Sequence, residues 1–300
     1  MLSATDYSQD YATLDNRGTA SLLSLLIANR EVHRLARSII TLTTDFGLTD
    51  HNAGVMKGAI LNVNSDVDIV DITHDIRPYD VLEGALVIAQ VYRYFPPRTV
   101  HVVVVDPGVG SPRRPILVSA GNHYFIAPDN GVLSLVLARE EEAIVRHITA
   151  NHYFLEPVSQ TFHGRDVFAP IAGWMSRHIE TEKFGDIITD YVRFALPQPK
   201  IVNERLLKGM VLRVDRFGTL TTNLAPADLP LLFAENPAPF KIVVGKSEVT
   251  SLKTAYAQGQ PGEVFAILGS SGFIEIASNR ASAAQATGAG KGAEVGVVFG

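Results

Sequence analysis

Three hundred residues exceed what one ordinary domain needs, and a hydrophobic content of 46% supplies material for a sizeable core, so two domains are expected. The formal net charge is −5, with acidic and basic residues interspersed rather than gathered into blocks, which argues against a nucleic-acid binder. Cysteine is absent, which removes disulfides, thiolate metal sites and a cysteine nucleophile and fits a reducing compartment such as the cytoplasm.

No apolar run approaches the roughly 18 to 20 residues of a membrane helix, so no membrane association is expected. Residues 1–37 read as an appendage: Asp6, Asp10 and Asp15 make its start acidic, unlike the basic opening of a secretory signal. Within it Leu22, Leu23, Leu26, Ile27 and Leu35 recur near helical spacing and predict a short amphipathic helix.

From Ser38 short apolar runs alternate with longer amphipathic segments, the pattern of an α/β domain over 38–196 with a central, mainly parallel sheet. Strands are expected at 39–44, 67–73 and 99–105, the last with four consecutive valines that imply burial on both faces. Helices are expected at 54–63 and 81–95. Two further strands, 116–120 and 123–126, flank Gly121-Asn122, a dipeptide suited to a tight hairpin because both residues tolerate positive φ. Helices are then expected at 132–138 and at 166–177, the latter with Pro170 in its first turn or at a kink. Periodicity stops at Leu196-Pro197-Gln198-Pro199, the expected linker. Beyond it come short runs at 210–214, 240–244, 264–268, 273–276 and 295–298, separated by turn residues, which predict a small all-β domain over 205–300.

Ligands of open α/β sheets gather beyond the carboxyl ends of the strands. Asp45 and Asp106 stand at two such ends, where an ionised carboxylate can grip the adjacent hydroxyls of a ribose; an Asp there also serves simply to cap the following turn. After Asp106 the segment Pro107-Gly108-Val109-Gly110-Ser111-Pro112-Arg113 forms a tight loop that brings a guanidinium back, either to favour an anion or to make a structural salt bridge. Thr161-Phe162-His163-Gly164-Arg165-Asp166 precedes a helix; His163 is a candidate base or water orienter, with a helix cap or a pairing with Asp166 as the plain alternative. His74 and His101 read as structural or solvated. Neither His-Glu-x-x-His nor His-x-His occurs, so no metal site is expected.

Leu-Thr-Thr-Asp-Phe-Gly (42–47), Val-Asp-Pro-Gly-Val-Gly (105–110), Ala-Pro-Asp-Asn-Gly (127–131) and Thr-Phe-His-Gly-Arg-Asp (161–166) together resemble the S-adenosylmethionine hydroxide adenosyltransferases, water-using relatives of the fluorinating and chlorinating adenosyl enzymes. The resemblance runs from about Ile39 to near the C-terminus. It implies hydrolysis of S-adenosylmethionine to adenosine and methionine, with Asp106, Arg113 and His163 handling the water and Asp45 binding the ribose diol. It further implies substrate contacts from Asp215, Phe217 and Ser270, no cofactor besides the substrate, and a homotrimer with sites between subunits. Thr219 departs from the Asn that often follows Phe-Gly in the family. Fluorinating relatives carry Tyr at the Asp106 position and Tyr-Ser at His163-Gly164; a carboxylate here would repel a halide, so a halogenase is the less favoured alternative. A nucleoside-binding module without turnover is the other alternative.

Overall fold

The computed structural model describes residues 37–300. The amphipathic helix expected at 22–35 lies outside the described residues. Six strands form the first sheet: β1 (Ser38–Thr44), β2 (Val67–Thr73), β3 (Val100–Val104), β4 (Pro115–Ala120), β5 (His123–Pro128) and β6 (Ile144–His147). Their order is β2-β1-β3-β5-β4-β6. The β1–β2, β1–β3 and β3–β5 pairs are parallel, whereas β4 is antiparallel to both β5 and β6, so β4 alone runs against the rest. The reversal between β4 and β5 is made by Gly121 and Asn122, both at positive φ (56° and 63°), the two-residue turn whose twist suits a hairpin.

All of β3 is buried because helices cover both faces of the sheet. On one side α1 (Asn52–Val63) packs with the later helix 169–176 against Ile40, Leu42, Val102 and Val104. On the other, α2 (Val81–Val91) and the single turn α3 (Ser134–Leu137) close over Val103, Val105 and Phe125. Asp80 caps α2 by accepting from the Glu83 amide at 3.0 Å. That helix is shorter than expected: it tightens into a 3-10 turn at Tyr92–Tyr94 ahead of Pro96-Pro97, because a residue before proline is pushed out of helical geometry. The helix expected at 166–177 opens instead as a π-helical turn, Gly164–Phe168, and continues as α4 (Ala169–Ser176); Pro170 cannot donate back, and the Asp166 carbonyl four residues before it takes the Leu155 amide instead.

The second sheet comprises β7 (Lys200–Asn203), β8 (Leu206–Val214), β9 (Leu220–Thr222), β10 (Phe240–Val244), β11 (Ser247–Val249), β12 (Leu252–Lys253), β13 (Val264–Leu268), β14 (Ile274–Ser278) and β15 (Glu294–Phe299). The order is β11-β10-β15-β8-β9-β14-β13-β12, with β7 added on β8. The nine-residue β8 pairs with β15 through its first half and with β9 through its second, and its register shifts between Val211 and Arg213. Such an irregularity bends a strand, and the sheet curls around Leu207, Val211, Leu220, Ile242, Ile276 and Val297. Polar contacts tie the two halves: Arg213 Nε donates to Glu83 Oε1 at 3.2 Å, Lys291 pairs with Asp80, and the Asn223 amide donates to the Pro197 carbonyl at 2.7 Å.

Candidate active site

β1 and β3 are neighbours in parallel register, Thr44 opposite Val104, so the residues that follow them emerge side by side at one edge of the sheet. There a cavity of about 340 Å³ is lined by Asp45, Asp106 and His163 together with Phe46, Asn52, Tyr79 and Phe162. Phe46 and Phe162 meet edge to face, with centroids 5.8 Å apart, and join the β1 end to the His163 segment.

Asp45 Oδ2 accepts from the Tyr79 amide at 2.8 Å. Burial raises the Asp45 carboxyl above its ordinary value and the charge of Asp106 adds to this, while the Tyr79 amide opposes it. Tyr79 has φ 69°, is 74% exposed and lines the cavity, so an aromatic residue stands at its rim. Sequence reasoning missed Tyr79, Phe46 and Asn52. Only adjacency to Asp45 marked Phe46, and nothing in the Arg77-Pro78-Tyr79 segment announces a positive φ.

The loop after β3 returns Arg113 to Asp106 as a fork: Nε donates to Oδ1 at 2.8 Å and Nη2 to Oδ2. The pair is nearly closed to solvent, with side-chain exposures of 8% for Arg113 and 6% for Asp106. Nη2 also lies 2.9 Å from His163 Nδ1. A guanidinium can only donate, so Nδ1 accepts and the proton of the neutral ring sits on Nε2. Burial first and the Arg113 charge second hold His163 below its ordinary pKa, against the opposing fields of Asp106 and Asp166. Arg113 Nη1 is buried without a partner among the described residues.

The backbone explains why these groups converge. Gly110, at φ 78°, lies so close to the Gln160 carbonyl that a methyl group there would overlap the oxygen, which presses the Asp106 loop onto the His163 segment. Asp166 secures that segment from below: its carboxylate takes the Ser159 amide at 2.8 Å and pairs with Arg165, and its carbonyl takes the Leu155 amide at 2.8 Å. The alternative partner for His163, Asp166, is thus engaged with Ser159 and Arg165, and the imidazole faces Arg113.

Asp215, Phe217 and Ser270 do not line this cavity. They sit in turns of the second sheet. Asp215 Oδ1 accepts from the amides of Phe217 at 2.9 Å and Thr219 at 2.8 Å, and Phe217 is 79% exposed. Nearby Tyr256 donates to Glu275 Oε2 at 2.9 Å; burial and that carboxylate push the phenol up to about 12, and burial with the Asp215 charge raises Glu275. Among the described residues no group of three or more His, Asp and Glu side chains is close enough to hold a metal ion.

A mainly parallel sheet with a desolvated Asp-Arg-His cluster beyond its strand ends, joined to a β half bearing its own polar cluster, defines a two-part enzyme acting on a small molecule. The chain belongs to the SAM hydroxide adenosyltransferase family: residues 40–185 match the model of the family's N-terminal domain and residues 209–296 that of its C-terminal domain. It is 33% identical to an (R)-S-adenosyl-L-methionine hydrolase of Methanocaldococcus jannaschii, over 79% of this chain and 87% of that one. It is 29% identical to a fluorinase of Nocardia brasiliensis, over 83% and 92% of the respective chains. An uncharacterized conserved protein from Thermotoga maritima shares the fold with a TM-score of 0.80 and 35% identity, covering 86% of this chain and 99% of that chain.

Proposed function

We propose that the protein hydrolyses S-adenosyl-L-methionine, water attacking ribose C5′ so that adenosine and L-methionine are released. The observation that carries this reading is the Arg113 fork, which holds Asp106 and His163 Nδ1 at once beside the cavity that Asp45 shares. Asp45 supplies the carboxylate for the ribose diol. The sulfonium leaves as a neutral thioether with the C5′–S electron pair and needs no acid, so the chemistry falls on the water. With Nδ1 engaged by Arg113, His163 offers Nε2–H as a donor that orients the water rather than a lone pair that deprotonates it. The proton passes to Asp106. The attacking water becomes a protonated alcohol as the C–O bond forms, and a carboxylate suffices as the base for so strong an acid.

The anionic carboxylate at position 106 also disfavours a halide in the same place, which separates this reading from the fluorinase relative. Asp215, Phe217 and Ser270 stand apart from the cavity, which supports a homotrimer in which a neighbouring copy brings them to it. No helix of the described residues is long and apolar enough to cross a membrane; the cysteine-free composition supports a cytoplasmic setting. The deciding experiment is chromatography of S-adenosylmethionine, both sulfonium epimers, incubated with the protein, with and without chloride or fluoride. Adenosine and methionine in equal amounts are expected; unchanged substrate would leave a binding module, and 5′-halo-adenosine a halogenase.

A further inference from the structure

Behind the Asp45 turn lies a buried polar relay for which the reaction itself has no use. His74 is 2% exposed and Thr44 fully buried. Thr44 Oγ1 lies 2.7 Å from His74 Nδ1 and 3.2 Å from the Phe46 amide. On its far side His74 Nε2 lies 3.1 Å from Asp71 Oδ1 in a bent contact, and Asp71 Oδ2 takes Lys57 Nζ at 2.6 Å. The directions of these bonds follow from donor and acceptor chemistry. The Phe46 amide must donate, so the Thr44 oxygen accepts there and keeps both its proton and a second lone pair for Nδ1, and the ring tautomer decides between them. An unprotonated Nε2 would turn its lone pair toward the Asp71 carboxylate, ionised beside Lys57, so the ring proton sits on Nε2 and Nδ1 accepts from Thr44. The main chain repeats the attachment: Gly47, at φ 69°, donates to the His74 carbonyl at 2.7 Å. Both ends of the turn 44–47 therefore rest on one residue, while Asp45, between them, has among the described residues only the Tyr79 amide to orient its carboxylate from outside.

We propose that His74 is a positioning residue for Asp45: acting through Thr44, it fixes the turn that aims the carboxylate at the 2′- and 3′-hydroxyls of the substrate. The inference rests on Asp45 being the ribose carboxylate of the reaction proposed above. The bonds from Thr44 and Gly47 to His74 hold the turn in a single orientation, because rotating it would leave the buried Thr44 hydroxyl or His74 Nδ1 unsatisfied. A histidine serves here because it reaches Thr44 and Asp71 with two nitrogens on opposite sides of one rigid ring.

The test is calorimetric titration of the full chain with adenosine and with 2′,3′-dideoxyadenosine, which lacks the diol. The wild type should prefer adenosine by about tenfold or more, the scale of a charge-assisted hydrogen bond. Asp45→Ala should abolish that preference, and His74→Ala and Thr44→Val should do the same while dideoxyadenosine affinity stays within about twofold, which shows that the pocket is intact. His74→Asn, whose Oδ1 replaces Nδ1 as an acceptor, should regain most of the preference. Full diol preference in His74→Ala, equal loss of both ligands, or a His74→Asn protein no better than His74→Ala would each overturn the proposal. A wild type without any diol preference would instead remove the ribose reading of Asp45 on which it stands.

Discussion

Arg113 spends its Nε and Nη2 groups on three contacts at once, two to Asp106 and one to His163 Nδ1, and this sharing sets what each partner can do. Interactions that strengthen as C5′ is attacked lower the barrier rather than the ground state. Asp106→Asn and His163→Ala are therefore expected to lower kcat by about 10²- to 10⁴-fold with little change in substrate affinity. Arg113→Lys, which keeps charge but not the fork, should lower kcat as well. Folded variants with wild-type kcat, measured beside substrate affinity and Tm, would make the cluster structural. The pH dependence has a definite sign. In the proposed reaction His163 works as the neutral ring, and its pKa is held below the ordinary 6.5, so kcat should stay level as pH falls through 6.5 and decline only beneath that. A decline centred at or above 6.5 in the pH profile would contradict the bond from Arg113.

At the scale of elements, the contact between two loops is as consequential as either loop. Gly110→Ala adds a methyl against the Gln160 carbonyl and strains a positive φ, so the Asp106 loop must lift from the His163 segment. Turnover should fall with far less effect on Tm than a core truncation has, and an unchanged kcat would show that the loops are independent. β3 carries a different liability. His101 is fully buried, stacked on Phe125 at 5.1 Å, bound to Thr41 Oγ1 at 2.7 Å, and pushed by burial, with His123 beside it, to about 3. Its folded pKa lies below the unfolded value of 6.5, so its stabilising effect is complete above 6.5 and is lost as pH drops from 6.5 toward about 3. The loss amounts to about 1.4 kcal/mol per pH unit, about 2 kcal/mol between pH 6.5 and 5. Urea unfolding at the two pH values should show His101→Gln losing correspondingly less than the wild type, and parallel losses would sink the assignment.

These elements also show where sequence reading succeeds and stops. The valine run of β3 was legible because a strand buried on both faces has no polar alternation to confuse it, and Gly121-Asn122 because both residues take the positive φ that the turn demands. β9, β11 and β12, at three, three and two residues, are too short to carry any period and exist only because longer neighbours supply their partners. In the site, Asp45, Asp106 and His163 were legible from strand ends and dense polar clusters. Tyr79 enters through a backbone angle and His74 through a tertiary relay, neither of which leaves a local trace in a chain of letters.

For the whole molecule, the separation of the two polar clusters makes an assembly prediction. If a cavity from one copy is completed by Asp215, Phe217 and Ser270 of another, Asp106→Asn and Asp215→Ala proteins, each inactive alone, should regain activity when co-expressed, since mixed trimers contain some sites with both intact halves. Sedimentation should report a trimer, and the regained activity should track the mixed species. A fully active monomer, or mixtures no better than either parent, would place the whole site within one chain. The contacts Glu83–Arg213 and Asp80–Lys291 fasten α2 to the β half of the same chain, so the geometry offered to a neighbour is set within each copy before assembly.

The reversed strand β4 has a bearing on how the site is formed in time. Because β4 begins at the edge of the sheet where β3 ends, Arg113 and Asp106 meet across a loop of seven residues without the crossover that another parallel strand would require. Closing so short a loop costs little chain entropy, while the contact from Arg113 to His163 spans fifty residues and waits on the packing of α4. The ion pair is thus a local contact of the folding chain and the histidine a distant one. During refolding the Asp106–Arg113 pair should close early, with activity returning only when the distant segment docks and completes the triad.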